Sequence, residues 1–327
     1  LLFADDGNTS RKMIVDNPAA STRVNFSAEA PVTADFSFGA QHEAEIPTNN
    51  ASVVTLQGNG DYNQASRSFV ARKSEVMATH KRFGKLSLGM GSTATDGVIE
   101  ADLSNTAVSG NYADSALVGA AILFYNSGTK TTSGSPAVGD VFNTLNGGNE
   151  DRVRYDTPTF AGFTGSVAGV SGGASDAALA YSGKIGAFEL AATVGYYNSN
   201  SISTTVDHRL SGSASVLHSS GLSLTVAGGK QEFKVASRDD GTSLYGKLGY
   251  TAKIFGVGPT NFGIDYGVYD DYGQNGDEAK TYSIGAVQQF ESIGSQVYIL
   301  GKVYELDRTA TSYDDIKLVM TGIRVAF

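Results

Sequence analysis

The amino-acid sequence predicts an all-β fold, a transmembrane antiparallel β-barrel of about sixteen strands. Three observations carry this. Apolar residues alternate with polar or small ones in run after run, which is the period of a strand. Short and long connectors strictly take turns between the runs. Charged residues make up only 17% of the chain, against about 25% in ordinary soluble domains.

The runs can be followed in order. Val24, Phe26 and Ala28 share one face, with Arg23, Asn25, Ser27 and Glu29 on the other. Phe36, Phe38 and Ala40 alternate with Ser37, Gly39 and Gln41, and Leu86, Leu88 and Met90 with Lys85, Ser87 and Gly89. Further along, Phe188 to Tyr196, Leu222 to Val226, Leu244 to Tyr250, Phe262 to Val268 and Tyr282 to Ala286 repeat the pattern. The short connectors are 31–34, 82–85, 159–162, 184–187, 218–221, 255–260 and 292–295. The long ones are 5–20, 46–65, 91–151, 171–176, 198–207, 232–241, 270–280 and 307–315. Fifteen connectors imply about sixteen strands, or roughly 20 residues per strand and connector, which suits tilted spans of about 9–11 residues. The non-apolar face carries Arg, Lys, Asp, Gln, Ser and Gly. A soluble β-sandwich also alternates, but an apolar outside with a polar inside describes a barrel in lipid with a wet lumen. Closure removes the sheet edges that lipid would not tolerate.

Composition excludes several alternatives. The 327 residues include no Cys, so disulfides, thiolate nucleophiles and Cys-ligated zinc are impossible. The net charge of -9 disfavours a nucleic-acid partner. No run of about 18 apolar residues occurs, which excludes a spanning helix, and mean hydropathy is -0.13. No Pro-rich linker, charge block or composition shift divides the chain, so 1–327 is read as one barrel domain. No signal peptide is visible, and the start is read as a mature or truncated N-terminus. With no Trp, an interfacial girdle falls to Tyr and Phe, among them Tyr155, Phe160, Phe163, Phe188, Tyr250, Phe262, Phe290 and Phe327.

The connector 91–151 is far longer than the rest and holds the apolar stretch "YADSALVGAAILFY" (112–125), too short to span a membrane as a helix. The inside wall of the barrel is the surface it can pack on. Infolding would bring Asp96, Glu100, Asp102 and Asp114 into the lumen. Basic residues sit on predicted inner faces: Arg23, Lys85, Arg152, Arg154 and Arg324. Arg67 and Arg72 crowd the strand before the loop, where the inward parity is ambiguous. Carboxylates facing guanidinium groups across a narrow opening would tune ion passage by size and charge.

Two flanking stretches, "FGKLSLGMGS" before the loop and "VRYDTPTFAGFTGSV" after it, resemble the general porin family of Gram-negative outer membranes. The matching residues are Phe83, Gly84, Leu86, Leu88 and Gly89, then Arg154, Tyr155, Pro158, Phe160, Gly162 and Phe163, with Thr157 where the family usually has Ser. The resemblance implies a sixteen-stranded homotrimeric barrel in the outer membrane, with the third extracellular loop folded inside. It implies passive diffusion of ions and small hydrophilic solutes, without a cofactor. It also implies that the terminal strand, ending on Phe327, is read by the barrel-assembly machinery. In the family the first strand pairs with the last. Here "LLFAD" precedes the first loop, so the strand's start is missing or the pairing is short. The loop exceeds many family eyelets, so part of it is expected outside the constriction.

The residues support other functions less well. A substrate-selective channel for a particular small solute is the main alternative; Tyr197, Tyr245, Tyr269 and Tyr298 could line it but are scattered. An enzyme lacks a geometric candidate. Among His42, His80, His208 and His218, only His208 adjoins an acid, Asp207, and strand neighbours point to opposite faces. The acidic loops 270–280 and 312–317 could bind Ca²⁺ through carboxylate oxygens, though they lack an EF-hand spacing. In the closing strand, Val319, Ile323, Val325 and Phe327 are expected towards lipid, with Met320, Gly322, Arg324 and Ala326 towards the lumen.

Overall fold

The computed structural model describes residues 1–46, 48–57, 69–114, 117–142, 145–200 and 202–326. They form one 18-stranded sheet. Its strands are β1 (Leu2–Asp5), β2 (Ser10–Met13), β3 (Arg23–Pro31), β4 (Phe36–Glu45), β5 (Val70–His80), β6 (Gly84–Ser92), β7 (Asn149–Asp156), β8 (Phe163–Val170) and β9 (Ser175–Ile185). They continue as β10 (Phe188–Asn198), β11 (Val206–His218), β12 (Leu222–Phe233), β13 (Gly241–Phe255), β14 (Gly258–Asp270), β15 (Asp277–Phe290), β16 (Ser295–Arg308), β17 (Thr311–Ser312) and β18 (Ile316–Val325). Neighbours from β3 to β16 pair antiparallel in sequence order, for example Leu248↔Ile264 and Ile264↔Ile284. β16 pairs with β18, and β18 pairs with β1.

Fifteen strands have eight or more residues, and β1 takes the sixteenth place beside β18. Its pairing is short, from Leu2↔Met320 to Asp5↔Lys317. β2 folds back on β1, and β17 is a two-residue rung on β16. These account for eighteen strands where the rhythm of connectors predicts about sixteen.

Side chains sort by parity. Leu244, Leu248, Ile264, Ile284, Ile299, Val319 and Ile323 are exposed on the outside. Tyr245, Lys247, Asp265, Ser283, Tyr298, Leu300, Lys302, Leu318 and Met320 are buried inside. An apolar exterior over a polar interior is the inverse of a soluble sheet and fits lipid. The short turns are tight: Gly221, at φ 92°, takes a left-handed conformation that costs glycine little. Exposed aromatics ring the short-turn end, with Phe163 on Tyr181 at 4.8 Å and Phe188 on His218 at 4.9 Å between ring centroids.

The barrel's hydrophobic core lies inside it. Val108, Val118, Ile122, Phe124, Val141, Phe142 and Leu145 of the long loop pack with Leu2, Ala4, Tyr298, Leu300, Tyr304, Leu306, Leu318 and Met320 of the wall. The described residues of the stretch 112–125 therefore pack on the inner wall, where Val118, Ile122 and Phe124 have apolar partners. Residues 123–137 form a small hairpin, with bridges Leu123↔Ala137 and Asn126↔Thr131, and its Phe124 stays in the core. This hairpin meets the last loop: Asn126 bridges Tyr313, and Phe124 lies 6.0 Å from the Tyr313 ring.

Candidate functional site: the infolded loop and the facing wall

The loop is held at its root by two arginines of β7. Arg152 donates from Nε to Ser92 O at 3.0 Å and from Nη1 to Gly89 O at 3.2 Å, and pairs with Glu75 at 2.5 Å. Arg154 donates to Thr93 O at 2.6 Å and pairs with Asp156 at 2.8 Å. Both point inward, as their parity predicts, and each is tied to a carboxylate.

From the root the loop runs along the inner wall from β9 towards β18. Asp176 of β9 accepts from Ala94 N and Thr95 N at 3.1 and 2.7 Å. On β11, Ser211, Ser213 and Ser215 all face inward and act as hooks. Ser213 Oγ accepts from Ala101 N at 2.9 Å and Ser215 Oγ from Leu103 N at 3.0 Å, while Ser211 Oγ donates to Leu145 O at 3.0 Å. A polar side chain that meets a passing backbone group satisfies both without water. Sequence reasoning missed these serines, although their spacing of two in "RLSGSASV" was a readable signal.

Further on, Lys247 of β13 pairs with Asp102 at 2.7 Å, with both side chains buried, and donates to Asn111 O at 2.5 Å. Asn111 Nδ2 donates to Asp265 Oδ2 at 2.6 Å and Ser283 Oγ at 2.8 Å. Tyr304 OH donates to Val118 O at 2.7 Å. Asp102 thus faces the wall and not the open lumen, because Lys247 lies directly behind the loop. Lys247, Asn111 and Asp265 are absent from the sequence-based site set, although the inward parity of Lys247 and Asp265 was legible.

Asp96, Glu100 and Asp114 of the loop form a group with no such ion pair among the described residues. Glu100 accepts from Asn146 Nδ2 at 2.5 Å. It keeps an exposed flank, yet the crowding loop and the nearby Asp96 both raise its pKa. Asp114 is pushed up to about 8, first by burial and then by repulsion from Glu100. Its Oδ1 has no hydrogen-bond partner among the described residues.

The wall β3–β8 carries the predicted basic residues. Arg23 pairs with Glu43 at 3.3 Å, and Arg72 with Glu43 at 2.8 Å and Glu45 at 3.1 Å. The register shifts between Glu43 and Ala44, which makes Arg72 the extra residue of a bulge. A bulge re-aims a side chain, and this explains why its parity could not be read. Lys85 lies 3.7 Å from Asp156. Arg324 donates to Gln296 Oε1 at 3.2 Å near the end of β18. Arg67 and Phe327 lie outside the described residues.

Two further expectations meet the structure here. Asp207 Oδ2 lies 3.2 Å from His208 Nδ1, so these neighbours do not diverge. The register shift between Val206 and Arg209 breaks the alternation there. In the acidic loop after β14, Arg308 engages both oxygens of Asp277 at 2.6 Å, and Asp271 accepts from Gly276 N. Among the described residues, no group of three or more His, Asp or Glu side chains is placed to hold a metal ion.

The fold of the whole chain is found in solved structures. An anion-selective porin from Comamonas acidovorans is 16% identical, with a TM-score of 0.63 over 100% of this chain and 96% of that one. OprB of Pseudomonas putida is 9% identical, with a TM-score of 0.60 over 100% and 92%. OmpF of Salmonella typhi is 14% identical, with a TM-score of 0.56 over 92% and 89%. No relative was found among curated protein sequences. The family model described as Gram-negative porin matches residues 3–309. An outside that is apolar, a lumen crossed by its own longest loop and this match agree, and the chain belongs to the Gram-negative porin family.

Proposed function

We propose that this outer-membrane channel conducts ions and small hydrophilic solutes by passive diffusion, without preference for one particular solute. The observation that carries the reading is the asymmetry of the inner wall. From β11 to β18 the inner face is buried under the loop, whereas Arg23, Arg72 and Lys85 on the opposite side keep 31–44% of their side chains exposed. A passage therefore runs between the free flank of the loop, with Asp96 and Glu100, and the wall β3–β8; Asp114 lies buried behind Glu100. Carboxylates at a constriction attract cations, and salt screens the effect.

The selectivity named for the Comamonas relative does not transfer at 16% identity. Here the wall guanidiniums of Arg23, Arg72, Arg152 and Arg154 are each paired with a carboxylate, which leaves the loop acids to set the sign. The reading is a weak cation preference. A homotrimer is supported by the trimer form of OmpT from Vibrio cholerae, which shares the fold. The part of Phe327 in assembly is proposed on the family resemblance alone.

Planar-bilayer recording tests the function. Conductance in steps of three with weak cation preference is expected. Absence of conductance by the folded protein would overturn the channel reading, and saturation by one solute class would favour a selective channel.

A further inference from the structure

The connector after β4 also turns inward. Its Ala51, Val54 and Leu56 are fully buried. They share one core with Leu2 and Ala4 of β1 and with Val118, Ile122 and Phe124 of the long loop. Leu2 and Ala4 pair with Met320 and Leu318, which are buried inside the barrel. Residues 51–56 therefore reach inside the ring of strands.

Backbone hydrogen bonds fix them there. Gly119 N donates to Ala51 O at 2.9 Å, and Ala121 N donates to Ser52 O at 3.0 Å. On the other flank, Asp16 N donates to Asn49 O at 2.8 Å, and Ala51 N donates to Asp16 O at 3.0 Å. The first long connector also reaches the third, since Asn17 Nδ2 donates to Val108 O at 2.7 Å. Irregular segments that leave water need partners for their backbone groups, and here three loops supply them to one another. Asn50 Oδ1 accepts from Ser52 N at 2.9 Å and from Ser52 Oγ at 2.8 Å, a local turn that holds Ala51 between its two partners. Gly119 has φ 80°, and a Cβ there would lie 3.1 Å from Leu318 Cδ1. The long loop is thus pressed on the wall at the residue that donates to Ala51.

Composition separates this connector from the long loop. Residues 48–57, "TNNASVVTLQ", carry no charge. Thr48 and Val53 are exposed, and Asn50, Ser52 and Thr55 are half-buried. Such a segment takes up volume without adding to the field, whereas Asp96 and Glu100 of the long loop add charge. Size and charge are separate determinants of passage.

We propose that residues 48–57 are a second constricting element, which sets the largest solute admitted and leaves the sign of selectivity to the long loop. They act by docking on the long loop of the same chain, through Ala51 and Ser52. The size limit rests on the channel reading, and the docking does not.

Two measurements test the two parts. The chain has no Cys, so introduced thiols report the docking cleanly. S52C/A121C in the folded barrel, treated with a short thiol-bridging reagent, should give linked peptides from a band at the mass of one chain. Failure to bridge would overturn the docking. A band at the mass of two chains would assign the connector to contact between copies and also overturn it. The size limit is read from KCl conductance with poly(ethylene glycol) of graded mass in the bath. A variant with residues 50–55 replaced by two glycines, shown to be folded by its resistance to SDS at room temperature, should admit larger polymers and conduct roughly twofold more. V53W, which adds volume at an exposed position and removes no hydrogen bond, should exclude polymers that the wild type admits. The reversal potential should stay in place in both. An unchanged polymer cut-off in V53W, or in the folded shortened variant, would overturn the size limit, as would a reversal-potential shift as large as that of E100Q. A wild type that bridges as S52C/A121C but never conducts would overturn the channel reading and the size limit with it, while the docking stands.

Discussion

Asp102 and Glu100 are two residues apart in the infolded loop and face different surroundings. Asp102 is locked to Lys247 behind the loop, and Glu100 keeps a flank open towards the lumen. Their neutralisation should differ in kind. E100Q should move the reversal potential in a KCl gradient towards anions while leaving conductance close to wild type. D102N strands a buried ammonium, which costs about 3–5 kcal/mol when a buried pair loses one member. It should lower thermal stability and raise open-channel noise, and an E100Q-like pure selectivity change would count against its placement. Asp114 adds a pH dependence. Its carboxyl, raised from 3.8 to about 8, stays protonated in the folded chain where an unfolded chain has already lost the proton. Folded-state stability from this group therefore falls as pH rises between those two values, and the loss is complete above the higher one. Over the upper part of that window, ionisation adds negative charge beside Glu100. Cation preference should increase from pH 7 to pH 9 in the wild type and stay flat in D114N; reversal potentials against pH decide this.

At the scale of elements, the long loop has two parts with different work. The described residues of the leg from Thr93 to Val118 are tied to inward hooks on β9, β11, β13, β15 and β16, while the hairpin 123–137 is rooted in the core through Phe124 and joins the last loop through Asn126. A shortened hairpin with residues 127–134 replaced by a two-residue turn should conduct as the wild type does. Replacing Ser211, Ser213 and Ser215 together by Ala should loosen the leg, since each lost hydrogen bond is worth about 1 kcal/mol. Larger and more variable conductance steps would show this, and unaltered steps would remove the serines from the positioning role.

At the scale of the whole molecule, the apolar exterior turns to lipid, and in the proposed reading the loop acids set the sign of the field in the lumen. That field is screened within about 10 Å at 0.1 M salt and about 3 Å at 1 M. Cation preference should accordingly be clear at 0.1 M KCl and fade at 1 M. A preference that persisted at high salt would point to a close-fitting binding site in place of a diffuse field.

Local pattern alone determined much of this protein. Period-two alternation assigned inside and outside along the strands, as Leu244 against Lys247 and Val319 against Met320 show, because neighbours in a strand must face opposite ways. The rhythm of connectors brought out the barrel, and the length and apolar stretch of 91–151 brought out its infolding. Only the tertiary structure decided which charges meet. Lys247 and Asp102 are 145 residues apart, and no local rule couples them. Arg72 and the Asp207–His208 contact sit at register shifts, where parity stops being informative.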